Sequence, residues 1–374
     1  MNSFGIIDLV MFLGISQGIF LAITLSVVHN KNRSANKILS FILFIATIML
    51  VGRVFHPRFS GIFFFRVAAF VDTLIFVFGP LIYTYVRRLT FNESPEYKNH
   101  CGHFIPALLH LAFFSWTLTY SAEEMKNMIN NGEFNLIYFI VETLGLLSNL
   151  FYTIKSYRLV SFYKREEKNN LSYTQKVKAY LTVFLFGVSI FMILWVISYS
   201  NVYFMRIREL SFISYNLIWI SIPIFIYIVG FFSLRQPEIF RLPKYAKKKN
   251  TKRRRLEGAE LTKLKKALEQ LIVEEKVYLN NSLTLKDLSE KLNTSTNNIS
   301  WLLNNIHKCS FYDYINKYRV KEFIEKIQNG EHHRHTLLAL SLDSGFNSKS
   351  TFNKAFKAEM NDTPTNYISN LNTA

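Results

Sequence analysis

LTLKDLSEKLNTSTNNISWLLNN, residues 283–305, and LLALSLDSGFNSKSTFNKAFK, residues 337–357, each spell a short apolar helix, a turn and a second helix with one polar face. In the first stretch Thr284 precedes the helix and Asp287 stands at its third position, the pairing that lets side chain and backbone satisfy each other's free amides. Leu285, Leu288 and Leu292 then share a face. Asn293 suits a left-handed helix stop, and Ser295 suits the cap of the next helix. There Ile299, Leu302, Leu303 and Ile306 point inward, and Asn297, Ser300, Trp301 and Asn304 are left on the opposite face. In the second stretch Gly345 supplies the turn, Phe346 plugs the core beside it, and Asn347 or Ser348 caps a helix with Phe352, Ala355 and Phe356 inside. Lys349, Ser350, Asn353, Lys354 and Lys357 form its polar side.

A helix of this kind, second in a helix-turn-helix, lies in the major groove with its outward face against the bases. Asn side chains pair there with adenine. A solvated surface would explain either polar face alone. Two such faces, with Thr363-Pro364 starting a closing helix, favour double-stranded DNA.

GFNSKSTFNKAFK followed by TPTNY (345–357, 363–367) resembles the signature of the AraC/XylS transcription regulators, and FYDYINKYRVKEF (311–323) resembles the linker helix between that family's two reader units. The resemblance covers roughly the last hundred residues. It implies a module whose two recognition helices enter successive major-groove segments, with Asn297, Ser300, Trp301 and Asn304 at the first and Lys349, Ser350, Asn353 and Lys354 at the second. The chain departs from the pattern at Trp301, where Arg is common, at Lys308 for Gly, at Ser341 for Ala, at Asn361-Asp362 for Thr-Gly, and at Ile368 for Arg. These departures leave a second reading open, in which the module binds a protein partner instead of DNA.

What precedes the module is of another character. Half of the 374 residues are apolar and the formal charge is +18. The apolar residues crowd before residue 235, in seven segments near the ~20-residue length that spans a bilayer: 5–28, 37–55, 63–86, 103–119, 135–154, 179–199 and 212–234. The fourth is interrupted by His103, Pro106 and His110. The first lacks the basic start and small-residue cleavage site of a secretory signal. Lys31, Arg33, Lys37, Arg87, Arg88, Lys98 and the basic run Lys155 to Lys178 fall on one side of such a bundle, and the fewer basic residues Arg53, Arg58, Arg66, Lys126, Arg206 and Arg208 on the other. Positive loops stay in the cytoplasm, so the N-terminus is expected outside and the C-terminal module in the cytoplasm. NRSANKILSFIL (32–43), GPLIYTYVRRLTF (79–91) and GFFSLRQPEIF (230–240) resemble a set of multi-span, largely bacterial regulators of the same kind, which implies the inner membrane.

Ionisable residues are costly in lipid and face the bundle interior, pair, or mark a site. Asp72 and Glu142 lie inside spans. They either line a ligand pocket or pair internally with Arg53 or Arg66. Tyr199, Tyr203 and Trp116 read as interfacial anchors. Cys101 and Cys309 fall in different domains and fit a reducing compartment. The histidines around residue 103 and at 332–335 lack the convergent ligand set of a zinc site. No phosphate loop, nucleophile elbow or zinc-protease motif occurs, so the chain is not expected to be an enzyme.

KKKNTKRRR (247–255) cannot bury a core and reads as a basic tether. The expectation is all-α: a seven-helix membrane sensor at 1–240, a flexible tether at 241–258, and a double helix-turn-helix domain at 259–374 with units at 283–305 and 337–358. Leu234, Pro237 and Phe240 form a corner between sensor and output, because proline ends a helix. The expected partners are double-stranded DNA, the lipid bilayer, a second copy of the chain, RNA polymerase and an unidentified ligand or membrane signal. No cofactor and no metal are expected.

Overall fold

The computed structural model describes residues 5–29, 32–55, 66–67, 70–91, 101–175, 177–205, 215–234 and 258–372. The described residues are helical with no strand, apart from one isolated bridge between Leu171 and Thr284. The chain divides into two compact units. The first holds residues 1–161 and 176–244, and the second holds 162–175 and 245–374. The basic stretch 241–257 and the corner residues Pro237 and Phe240 lie outside the described residues, and Leu234 is the last residue of its helix.

The first unit contains α1 (Ile6–Val27), α2 (Arg33–Phe55), α3 (Ile75–Thr90), α4 (Ile105–Ser115), α5 (Ala122–Asn130), most of α6 (Asn135–Asn170), α7 (Val177–Ser200) and α8 (Tyr215–Leu234). Six helices, with α3 extended back to Phe70 and α7 on through a π turn to Met205, are long and apolar enough to cross a membrane. The seventh expected crossing is broken: Gly102–Thr119 and Ala122–Asn130 meet at 114°. The break has a local cause. Ser121 accepts from the Glu124 amide and Glu124 returns the bond to the Ser121 amide, a capping box that starts a new helix where the old one ends. Contacts along the third span nevertheless run the length of the fourth. Arg66 donates to the carbonyls of Thr117 and Tyr120. Thr73 Oγ1 meets His110 Nδ1 at 2.8 Å, and the Tyr83 ring meets His103 edge-on. This antiparallel register is the one expected of a crossing followed by a short amphipathic helix, and the described residues hold six such spans, or seven with this pair counted as one.

Its outer surface is that of a membrane protein. Ile6, Leu9, Phe20, Phe41, Phe44, Leu108, Leu144, Phe151, Phe186 and Ile193 are all exposed, which is costly in water and free in lipid. Inside, the helices approach closely through small residues, the usual solution where no hydrophobic force draws helices together. A Cβ on Gly14 would fall 2.6 Å from Pro223 Cγ of α8, and one on Gly18 would strike the Thr47 hydroxyl of α2.

One helix is much longer than its apolar stretch suggests. The fifth segment, expected at 135–154, is α6, which continues to Asn170. Residues 155–170 are too polar to be seen by hydropathy, yet Leu159, Val160 and Tyr163 are buried and keep the helix going.

The second unit contains α9 (Ala259–Val273), α10 (Leu285–Lys291), α11 (Thr296–Asn305), α12 (Phe311–Gln328), α13 (Leu337–Asp343), α14 (Lys349–Met360) and α15 (Pro364–Asn372). It has two hydrophobic cores. The first gathers Leu268, Ile272, Leu288, Ile299, Leu302 and Ile315, and the second gathers Phe323, Leu340, Phe346, Phe352 and Phe356. The central helix α12 feeds both, giving Phe311, Tyr314 and Ile315 to one and Val320, Phe323 and Ile327 to the other.

Candidate nucleic-acid interface and membrane site

Each unit of the reader is built by the local chemistry that its sequence suggests. Thr284 Oγ1 accepts from the Asp287 amide at 3.2 Å and Asp287 accepts from the Thr284 amide at 2.9 Å. Asn293 adopts φ 46°, which stops α10, and Ser295 caps α11 through the Asn298 amide. Of the two residues offered as the cap of α14, Ser348 does it, accepting from the Thr351 amide. Gly345 has φ 90°, and a Cβ there would strike the Tyr278 carbonyl oxygen and come 2.8 Å from Leu279 Cα. Two departures from the family pattern sit at strained backbone. Lys308 has φ 54° and Asn361 φ 55°; Gly carries no penalty at such angles, Asn little, and Lys the most.

On α11 the apolar residues Ile299, Leu302 and Leu303 are fully buried, while Ile306, expected inside, is 42% exposed at the helix end. Asn297 and Asn304 are exposed and Ser300 and Trp301 half-buried. Asn304 Nδ2 donates back to the Ser300 carbonyl and hydroxyl, at 2.7 and 3.2 Å, so these two side chains form one local unit. On α14, Lys349, Ser350, Asn353, Lys354 and Lys357 are all exposed, opposite the buried Phe352, Ala355 and Phe356. The first candidate recognition helix carries no cation; the second carries Lys349, Lys354 and Lys357.

Residues 288–370 match the family model described as a helix-turn-helix domain. The C-terminal module is a helix-turn-helix domain of the AraC type. The match begins within α10 and ends within α15, so it takes in both candidate recognition helices and the linker α12. No curated protein matches the chain, and no solved structure matches it. A helix-turn-helix domain of this type belongs to DNA-binding regulation, and here it shares a chain with a bundle of apolar, membrane-spanning helices.

At the centre of the helix-turn-helix domain lies a residue that sequence inspection passed over. Arg319 of α12 is fully buried between the two cores. Its Nε donates to the Tyr278 carbonyl at 2.7 Å and its Nη2 to the Asn280 carbonyl at 2.7 Å. Nη1 donates to the Ser172 carbonyl at 2.9 Å and to Asn316 Oδ1 at 3.1 Å, and Nη2 also reaches the Ser172 hydroxyl at 3.0 Å. Burial draws its pKa down to about 10, which leaves it charged at neutral pH. Nearby, burial pushes the Glu322 carboxyl up, but bonds from Lys276 and Tyr278, each at 2.8 Å, outweigh that and set it below its ordinary value.

In the membrane unit the acids are not ion-paired with the arginines offered for them. Arg53 donates to Asn216 Oδ1 at 3.0 Å and Arg66 to main-chain carbonyls. Glu142 instead accepts from Trp195 Nε1 at 2.9 Å, Tyr203 OH at 3.0 Å and Tyr215 OH at 2.5 Å. Tyr203, expected as an interfacial anchor, is thus an internal donor. Trp195 and Tyr215 were not foreseen; the available signal was that a carboxyl in an apolar span needs donors, and aromatic N–H and O–H groups on neighbouring spans supply them. Glu142, Asp72, Tyr138, Trp195, Tyr203 and Tyr215 line a mostly apolar cavity of about 630 Å³. No group of three or more His, Cys, Asp or Glu side chains converges as metal ligands among the described residues.

Proposed function

We propose that the chain is a one-component transcription regulator of a bacterial inner membrane. The membrane unit senses a signal, and the helix-turn-helix domain binds DNA sequence-specifically on the cytoplasmic side. The observation that carries this reading is the union in one chain of a lipid-surfaced bundle and a helix-turn-helix domain. The cavity at Asp72 and Glu142 is the place where the signal is read. An apolar chamber with a few convergent polar groups is the usual form of a small-molecule site, and an intramembrane carboxyl facing such a chamber is a site candidate by default. Genome-wide DNA occupancy of the intact, membrane-bound protein tests the reading. Discrete occupied promoters support it, and occupancy no different from a truncation lacking the domain overturns it.

Base contact is assigned to α14. Changing Asn353 and Lys354 together to Ala in the full chain is expected to weaken binding to its selected site by about 1–3 kcal/mol per lost base contact, more than it weakens binding to other sequences. The measurement is anisotropy against selected and scrambled duplexes; an unchanged ratio removes α14 from the groove.

Orientation follows from the Lys/Arg asymmetry of the loops. A reporter active only in the cytoplasm is expected to work when fused after Ser233 or at the C-terminus and to fail when fused at Met128 in α5. Activity at Met128 would mean that Gly102–Thr119 turns back without crossing.

A further inference from the structure

The second unit contains a piece of chain that belongs, by sequence position, between two membrane spans. The last turns of α6 from Phe162 and the turn that follows, to Gln175, are packed with the helix-turn-helix domain. The turn is fixed to its own helix first. The Leu171 amide donates to the Glu167 carbonyl at 2.8 Å, the Gln175 amide to Glu167 Oε1 at 2.9 Å, and Gln175 Nε2 to Tyr163 OH at 3.0 Å. Glu167 and Tyr163 are both buried. The tip of the turn then meets the domain at two places at once. Leu171 is fully buried and bridges to Thr284, the cap of α10, while the Ser172 amide and hydroxyl both donate to the Leu283 carbonyl, at 3.3 and 2.8 Å. The Ser172 carbonyl accepts from Asn316 Nδ2 at 3.0 Å and from Arg319 Nη1 at 2.9 Å, both on the linker α12. One residue therefore joins the start of the first helix-turn-helix unit to the helix that carries the second.

We propose that residues 162–175 are an in-cis partner of the DNA reader: a bracket, projecting from the fifth span, that fixes the first helix-turn-helix unit on the linker helix and so sets the geometry in which both recognition helices meet DNA. The occupant of this surface of the reader is named by the chain itself. Five hydrogen bonds converge on Ser172, all but two of the donors and acceptors concerned are main-chain atoms or a buried guanidinium, and none would be satisfied by an apolar partner. The two helix-turn-helix units meet the bracket unequally: Leu283 and Thr284 of the first touch it directly, whereas the second core reaches it through Arg319, whose guanidinium lies over Phe346. Bracket loss therefore loosens α10 and α11 and leaves the core around Phe346 and Phe356 intact. The proposal rests on the reading of the domain as a DNA binder for its affinity arm, and not for its exchange arm.

The experiment uses the full chain in lipid nanodiscs and compares wild type with Ser172→Pro, which removes the amide and hydroxyl donors, and with Ser172→Ala, which removes only the hydroxyl. Amide exchange is followed by mass spectrometry, and binding to a duplex selected by the wild-type chain from a randomised library is followed by anisotropy. Ser172→Pro is expected to speed exchange across Leu283–Asn305 by about tenfold or more, to leave Leu337–Met360 unchanged, and to weaken binding by about tenfold; Ser172→Ala gives the same pattern at a few-fold. Wild-type exchange and affinity in both variants overturn the proposal. If Ser172→Pro unfolds both cores, Ser172→Ala decides, with selective loosening of the first unit supporting the bracket and uniform or absent change refuting it. Selective loosening in a chain that binds no duplex at all would uphold the bracket and discard the DNA reading.

Discussion

Arg319→Met is expected to cost the helix-turn-helix domain about 3–5 kcal/mol, the range found when one partner of a buried charged network is removed. Methionine fills most of the volume but offers no donors. The Tyr278 and Asn280 carbonyls then face a buried apolar side chain, and the Ser172 carbonyl retains only Asn316. Arg319→Lys is expected to recover little, since one ammonium cannot reproduce a planar fork that reaches three separate carbonyls. The measurement is denaturant unfolding of the full chain in detergent, followed by tryptophan-independent exchange of the domain. A loss under about 1 kcal/mol would mean that water replaces the guanidinium and that the joint between the cores is wetter than its burial implies.

Gly345→Ala is expected to cost about 3 kcal/mol or more, a large effect for one methyl group. Two penalties add. The backbone at φ 90° disfavours any L side chain, and the new Cβ would meet not a flexible side chain but the main chain at Tyr278 and Leu279. Relief requires the turn between α13 and α14 to move away from the segment that Arg319 holds. The expected readout is a lowered unfolding midpoint with loss of DNA binding. A shift within that of a surface substitution would show that the turn is free to back away.

Much of the reader was legible because its determinants are local. Thr284 with Asp287, Ser295, Asn293 and the heptad-like leucines all act within a turn or two of their own position, and the structure places each cap as written. The spans were legible for the opposite reason, as a bulk property of about twenty residues at a time. What lay hidden depends on contacts between distant residues or on polar helix. Ser172 is a small polar residue in a loop, without periodicity or motif, and its partners stand at Leu283, Asn316 and Arg319. The donors of Glu142 sit on other helices, and each is an aromatic that by itself suggests packing or an interface. The extension of α6 to Asn170 is written in Lys, Arg and Glu, which hydropathy reads as the end of a span although they favour helix. Ile306 was misplaced because helical periodicity ignores that α11 ends at Asn305.

The chain passes between its two compact units three times, at residues 161–162, 175–176 and 244–245. A single peptide-bond cleavage in the basic stretch would open only the last of these. The two fragments would remain a complex, because the membrane-anchored fragment contains the bracket and the other contains Leu283, Asn316 and Arg319, which grip it. Protease action at that stretch is therefore not equivalent to liberation of a soluble transcription factor. Escape to distant promoters would demand undocking as a separate step, and without it the regulator stays resident at the membrane and the chromosome must come to it.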